Sequence, residues 1–103
     1  MVGYEYQSQA EAEYLDAARY YAGIDAELGI SFVAEVEDAI ERARQFPEAY
    51  GKIAGNYRHV LTHRFRYAII YEILHDRIFI WAVAHTSRAP GYWLKRVQEA
   101  PPD

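Results

Sequence analysis

The sequence predicts an α+β domain: an N-terminal strand, an antiparallel αα-hairpin, then a three-stranded antiparallel meander. Three observations carry this. Residues 9–23 and 25–46 place apolar side chains at spacings of three and four, the stripe of an amphipathic helix. Residues 57–64, 66–74 and 77–85 are short runs rich in β-branched and aromatic residues, spaced so tightly that only antiparallel neighbours can satisfy them. The helices also precede the meander as a block rather than alternating with its strands, so they segregate to one face of the sheet. At 103 residues the chain is a single domain, 1–103, with one modest core.

The elements follow in order. Val2, Tyr4 and Tyr6 alternate with polar positions, the period of a strand. Ser8 and Glu11 form a capping box that starts the first helix, with Leu15, Ala18 and Ala22 on one stripe, Tyr14, Ala17 and Tyr21 beside it, and Gly23 at its end. Asp25 caps the second helix. Its apolar side is Leu28, Phe32, Val36, Ala39, Ile40, Ala43 and Phe46, its wet side Glu35, Asp38, Glu41 and Arg42, and Pro47 stops it. Gly29 inside it costs about 1 kcal/mol against alanine. Residues 48–56 read as a loop punctuated by Gly51 and Gly55. In the last strand Phe79, Trp81 and Val83 alternate with Ile78, Ile80 and Ala82. It is apolar on both faces, so one face meets the helices and the other is covered by residues 89–97 or by a partner. Tyr14, Tyr20 and Tyr21 are either packing residues or an anchor patch for another chain.

Composition narrows the function. Without cysteine there is no disulfide framework, thiolate metal site or cysteine nucleophile. No leader or 18-residue apolar run occurs, which makes the cytoplasm the expected compartment and a membrane role unexpected. The net charge of -4 hides an asymmetry: residues 1–50 hold 3 Lys/Arg against 11 Asp/Glu, residues 51–103 hold 8 against 4. All four histidines lie in the second half. A basic face can meet phosphate or an acidic protein segment, but the acidic half would repel duplex DNA unless it faces away.

Antiparallel pairing gathers His63, Arg64, Arg66, His85 and Arg88 at one end of the sheet and leaves Arg58 roughly 20 Å away along its strand. Two histidines beside arginines suit metal-free RNA cleavage, one imidazole as base, the other as acid, guanidinium on the phosphate. The plainer reading is that both histidines finish strands and that the arginines are solvated or paired with Glu72 and Asp76. His59 and His63 stand four apart, ligand spacing on a helix but about 13 Å on a strand, so no metal is expected, and no cofactor.

The strand FRYAIIYEI and the ending AVAHTSRAPGYW resemble the ParE/RelE superfamily of bacterial toxins, in its ParE (plasmid stabilisation) branch, over nearly the whole βααβββ order. The resemblance implies a toxin neutralised by a cognate antitoxin, with DNA gyrase as the usual target. In the RelE-like, ribosome-dependent ribonucleases of messenger RNA, a basic set occupies these strands. Arg58, Arg88 and Tyr92 match it, whereas Val60 and Ala68 stand where two further basic residues would be. Were the chain a ribonuclease, Arg58, His63, His85, Arg88 and Tyr92 would be its candidate residues. As a protein inhibitor its contact residues would be Arg64, Arg66, Arg88, Trp93 and Arg96, since arginine beside exposed aromatic rings is the composition of interface hot spots. An inert antitoxin-binding relic is the third possibility.

Overall fold

The computed structural model describes residues 1–99. Its elements are β1 (Gly3–Tyr6), α1 (Ser8–Ile24), α2 (Ala26–Gln45), β2 (Lys52–Ala54), β3 (Tyr57–Leu61), β4 (Tyr67–Ile73), β5 (Arg77–His85) and α3 (Leu94–Glu99). One sheet takes all five strands in the order β1-β5-β4-β3-β2, and β3, β4 and β5 form the predicted antiparallel meander. β1 runs parallel to β5, which it joins as an edge strand after the helical hairpin has crossed one face. The class is α+β, as the sequence predicts.

The cap of α1 is Gln7 rather than Ser8. The Gln7 amide donates to Ile80 O (2.8 Å), so the chain stays extended up to this residue, and its side-chain oxygen then accepts from the Ala10 amide (2.9 Å). Between the helices Asp25 alone makes both ends. Its amide donates to Tyr21 O and its carboxylate accepts from the Glu27 amide, which turns the chain in one extended residue. The buried stripe of α1 is Ala10, Tyr14 and Ala17, while Leu15 is 47% exposed. On α2 the predicted stripe holds from Phe32 to Ala43, but Phe46, beyond the last turn, is exposed. Gly29 is no simple weak point: a Cβ there would stand 2.7 Å from Ala22 Cβ, so the helices touch through it.

β5 departs from simple alternation. Its partners on β4 step from Ala82 to Ile80, leaving Trp81 as the extra residue of a bulge. Ile78, Ile80 and Val83 therefore face the helices, and Phe79, Trp81, Ala82 and Ala84 face the other side. The predicted grouping of Val83 with Phe79 and Trp81 is shifted by that one residue.

The expected loop 48–56 contains β2, a three-residue edge strand that hairpins onto β3 through Gly55 (φ 50). Three residues are too few for alternation to register. β3 and β4 are shorter than read because residues 62–66 make a turn, with Phe65 (φ 72) and Arg66 (φ 58) both left-handed. Non-glycine residues there cost on the order of 1–3 kcal/mol each, which the Phe65 ring offsets by packing 4.9 Å from Tyr21 and 5.4 Å from Phe32. On the second face the tail does the covering: Trp93 is 2% exposed, its ring 5.0 Å from Tyr57, and α3 follows it.

Candidate functional site

Register brings the predicted residues to one end of the sheet. Tyr67 pairs with His85, and Arg66 O accepts from the Thr86 amide (2.8 Å), so the 62–66 turn and the segment after β5 are neighbours. Their side chains do not converge. His63 Nε2 lies 3.7 Å from Asp38 on α2. His85 Nδ1 accepts from the Ser87 amide (3.1 Å), which leaves the proton of the neutral ring on Nε2, and its ring meets the Tyr67 ring edge-on. Arg88 stacks 3.9 Å over the Tyr92 ring. Arg58, opposite Tyr71 in the other half of the sheet, donates to the carbonyls of Glu48 (3.1 Å) and Tyr50 (2.7 Å) and so fixes the loop. The acid and base that RNA cleavage needs are thus engaged separately, one on the helix layer and one on its own loop.

A residue that no sequence pattern singles out organises the tail. Glu13 of α1 accepts from Arg96 Nη1 and Nη2 (2.9 Å each), from Tyr92 Oη (2.5 Å) and from the Val83 amide (3.1 Å), with Arg88 Nη1 at 3.8 Å. Arg96 Nη1 also donates to Trp81 O (3.1 Å). The pairing of β1 with β5 ends at Ile80, and just beyond it lie the Trp81 carbonyl and Val83 amide of the bulge. The Glu13–Arg96 pair supplies the partners that a longer β1 would have given. Trp93 and Arg96, expected at the surface, are accordingly 2% and 7% exposed. A tryptophan that covers a sheet face and an arginine that closes an open strand edge have little left to show a partner. The bidentate bond from Glu13 raises the Arg96 pKa, and burial, then Glu13, drives the Tyr92 hydroxyl far above its ordinary value. The sequence held no signal for this pair, because 83 residues separate its members.

Beside the tail the second face is open. A groove of about 310 Å³ has Ala68, Ile70 and Ala84 as its floor, with Leu61 on one wall and Pro90 and Trp93 on the other. The alanines at 68 and 84 make the hollow. Its rim carries His59, His85 and Arg88, and among the described residues no carboxylate lines it. Ile53 and Leu61, on its β2–β3 side, are 41% and 46% exposed. An apolar trough with a basic lip fits the apolar side of an acidic amphipathic segment. No described helix is long and apolar enough to cross a membrane.

Comparison with known proteins gives two findings. The family described as "ParE toxin of type II toxin-antitoxin system, parDE" matches residues 4–90. Among solved structures, a chain titled "Chromosomal ParDE TA system from P. aeruginosa" superposes with a TM-score of 0.71 at 13% identity, covering 82% of this chain and 96% of that one. At that identity the likeness is one of fold. The chain matches no curated protein sequence.

Proposed function

The chain belongs to the ParE toxin family of type II toxin-antitoxin systems, and on that premise we propose that it arrests growth by inhibiting DNA gyrase through protein contact, and that a cognate antitoxin holds it inactive from the apolar groove. The observation that carries the antitoxin half is the groove itself, apolar at the floor and basic at the rim. Each buried leucine or phenylalanine anchor would contribute roughly 1.5–3 kcal/mol, against about 0–1 for an exposed ion pair. Burial then sets the affinity, and Arg88 and the rim histidines set the approach. Raising salt from about 0.1 to about 1 M, where charges are screened within a few ångströms, should leave the complex with the co-encoded antitoxin standing. A complex abolished outright by salt would overturn that half.

Protein contact is favoured over messenger cleavage by the placement of the candidate residues. Arg58 is committed to carbonyls and Tyr92 to Glu13, and His63 sits exposed beside Asp38 on α2, apart from both. Val60, 1% exposed in the core, and Ala68, on the groove floor, stand where the ribonucleases carry basic side chains. The test is induced expression in a bacterium with plasmid topology and transcript ends read together, and the purified chain added to gyrase acting on relaxed plasmid. Loss of supercoiling with intact transcripts is expected. Codon-specific cleavage of ribosome-bound messenger that disappears in His85→Ala or Arg88→Ala would replace this reading with the enzymatic one, the expected loss being about 10²-fold or more.

A further inference from the structure

The chain has nine arginines. Arg19, Arg42, Arg44, Arg77, Arg88 and Arg96 each lie within reach of a carboxylate. Arg58 is taken up by two carbonyls. The two with no acceptor among the described residues are Arg64 and Arg66, and both belong to the left-handed turn between β3 and β4. Arg64 and Arg66 are exposed, and Arg64 sits 5.1 Å over the ring of Phe65, which lies between them in the chain.

Two solvated arginines would be ordinary on a plain hairpin. This turn is not plain. A chain that needed only to join β3 to β4 would place glycine or asparagine where φ is positive; here phenylalanine and arginine occupy those positions, and the turn is tied down on every side. The Thr62 hydroxyl bonds to Arg64 O and accepts from the Tyr67 amide (3.0 Å). The Arg64 amide donates to Glu35 on α2 (2.6 Å), and Arg66 O accepts from Thr86 beyond β5. Phe65 is inserted into the aromatic cluster of Tyr21 and Phe32. The backbone is forced into an unfavourable shape and then fixed there, with two free guanidinium groups facing outward. Strain held in this way is characteristic of recognition sites, where it holds contact groups in place before a partner arrives.

We propose that the 62–66 turn is the target-recognition element of this toxin, Arg64 and Arg66 gripping carboxylates on an acidic protein surface of the target. The inference rests on the proposed toxin function and adds to it which residues meet the target. Guanidinium forks match carboxylates and phosphates equally well. The surroundings choose between them. Glu35 and Asp38 lie directly against the turn, bonded to the Arg64 amide and facing His63, and the chain as a whole carries a charge of -4. A continuous polyanion is repelled by those carboxylates, whereas a pair of discrete carboxylates reaches the arginines alone. The turn packs on the helix layer and the groove opens on the opposite face of the sheet, so the target and the antitoxin engage different surfaces.

The test is the double variant Arg64→Ala with Arg66→Asn, asparagine being chosen because it accepts positive φ more readily than alanine. It is induced in a bacterium beside the wild type, with growth, and gyrase inhibition by purified protein, as readouts and thermal melting as the check of folding. A loss of toxicity of at least tenfold at an unchanged melting temperature is expected, with Arg64→Lys/Arg66→Lys recovering only part because lysine keeps the charge without the fork. If the double variant melts lower, Arg64→Ala alone, which leaves both left-handed residues in place, must show the loss. A wild type that arrests growth and a folded variant that arrests it equally would overturn this inference and leave the proposed function intact. A wild type that does not arrest growth would overturn both. Tight binding of the wild type to linear duplex DNA at physiological salt, lost in the double variant, would make the partner a nucleic acid and overturn the acidic-protein assignment.

Discussion

Glu13 shows how much can depend on one carboxylate. Four hydrogen bonds, from β5, α3 and the turn before α3, end on it, and its side chain and that of Arg96 are 16% and 8% exposed. Breaking a buried pair from one side costs about 3–5 kcal/mol, because the remaining charge has no counterion. Glu13→Gln should therefore lower the urea midpoint by an amount equivalent to at least 3 kcal/mol. The usual remedy, replacing both members by apolar residues, restores stability where the pair is only an ion pair. Here it should not, because the Trp81 carbonyl and Val83 amide of the bulge would lose their partners, at about 1–3 kcal/mol each. A Glu13→Leu/Arg96→Leu protein as stable as the wild type would show that water serves the bulge equally well. Neither residue was legible in the sequence for this role, since glutamate on a helix and arginine near a chain end are both ordinary, and their meeting is a product of the tertiary fold.

The elements separate what periodicity reveals from what it hides. α2 and β5 were legible because their stripes run over five turns and nine residues. β2 and α3 were not, being three and six residues long. The cap of α1 was misplaced by one residue because Ser8 and Glu11 fit a known pattern, while Gln7 is fixed by a bond to Ile80 that lies far off in sequence. Gly29 carries the sharpest element-scale prediction. On an isolated helix Gly29→Ala would stabilise by about 1 kcal/mol through propensity. In this hairpin the new methyl meets Ala22 Cβ at 2.7 Å and Ala22 Cα at 2.8 Å, and neither is the end of a flexible chain. Overpacking of that kind costs roughly 1–3 kcal/mol, so the substitution should destabilise overall. Adding Ala22→Gly should recover little of the loss, because Ala22 Cα at 2.8 Å still stands in the way. A Gly29→Ala protein with a raised urea midpoint would mean that the helices can separate without penalty.

At the scale of the whole molecule, the charge asymmetry that read as a basic functional face is spent in part on pairing between the two halves. Glu5 takes Arg77, and Glu13 takes Arg96 and Arg88, so the acidic half neutralises three of the arginines of the basic half. Composition showed the two pools of charge but could not show that they face each other. The tyrosines make a further whole-molecule effect, because burial raises the pKa of several at once. Tyr67 is pushed up to about 12 by burial, then by the neighbouring Tyr21, and Tyr71 reaches about 12 because burial outweighs the opposing Arg58. Tyr6, Tyr14 and Tyr92 are raised further, each mainly by burial. An unfolded tyrosine titrates near pH 10. Below that value both states hold the phenolic proton and these groups contribute no pH dependence. Above it the unfolded chain ionises first and binds fewer protons than the folded one, so stability must fall as pH rises from about 10 through 12. Urea midpoints measured from pH 7 to 11.5 should accordingly show no tyrosine-dependent slope up to about pH 10 and then a steep decline. Phenolate absorbance of the native protein should lag behind that of the urea-unfolded chain over the same range. Tyr71→Phe removes one of these protons along with the bond to Pro47 O, and should lower stability at neutral pH while making the alkaline decline shallower. Midpoints that stay level to pH 11.5, or native and unfolded absorbance curves that coincide, would mean that these phenols are open to solvent and that the aromatic packing described here is wrong.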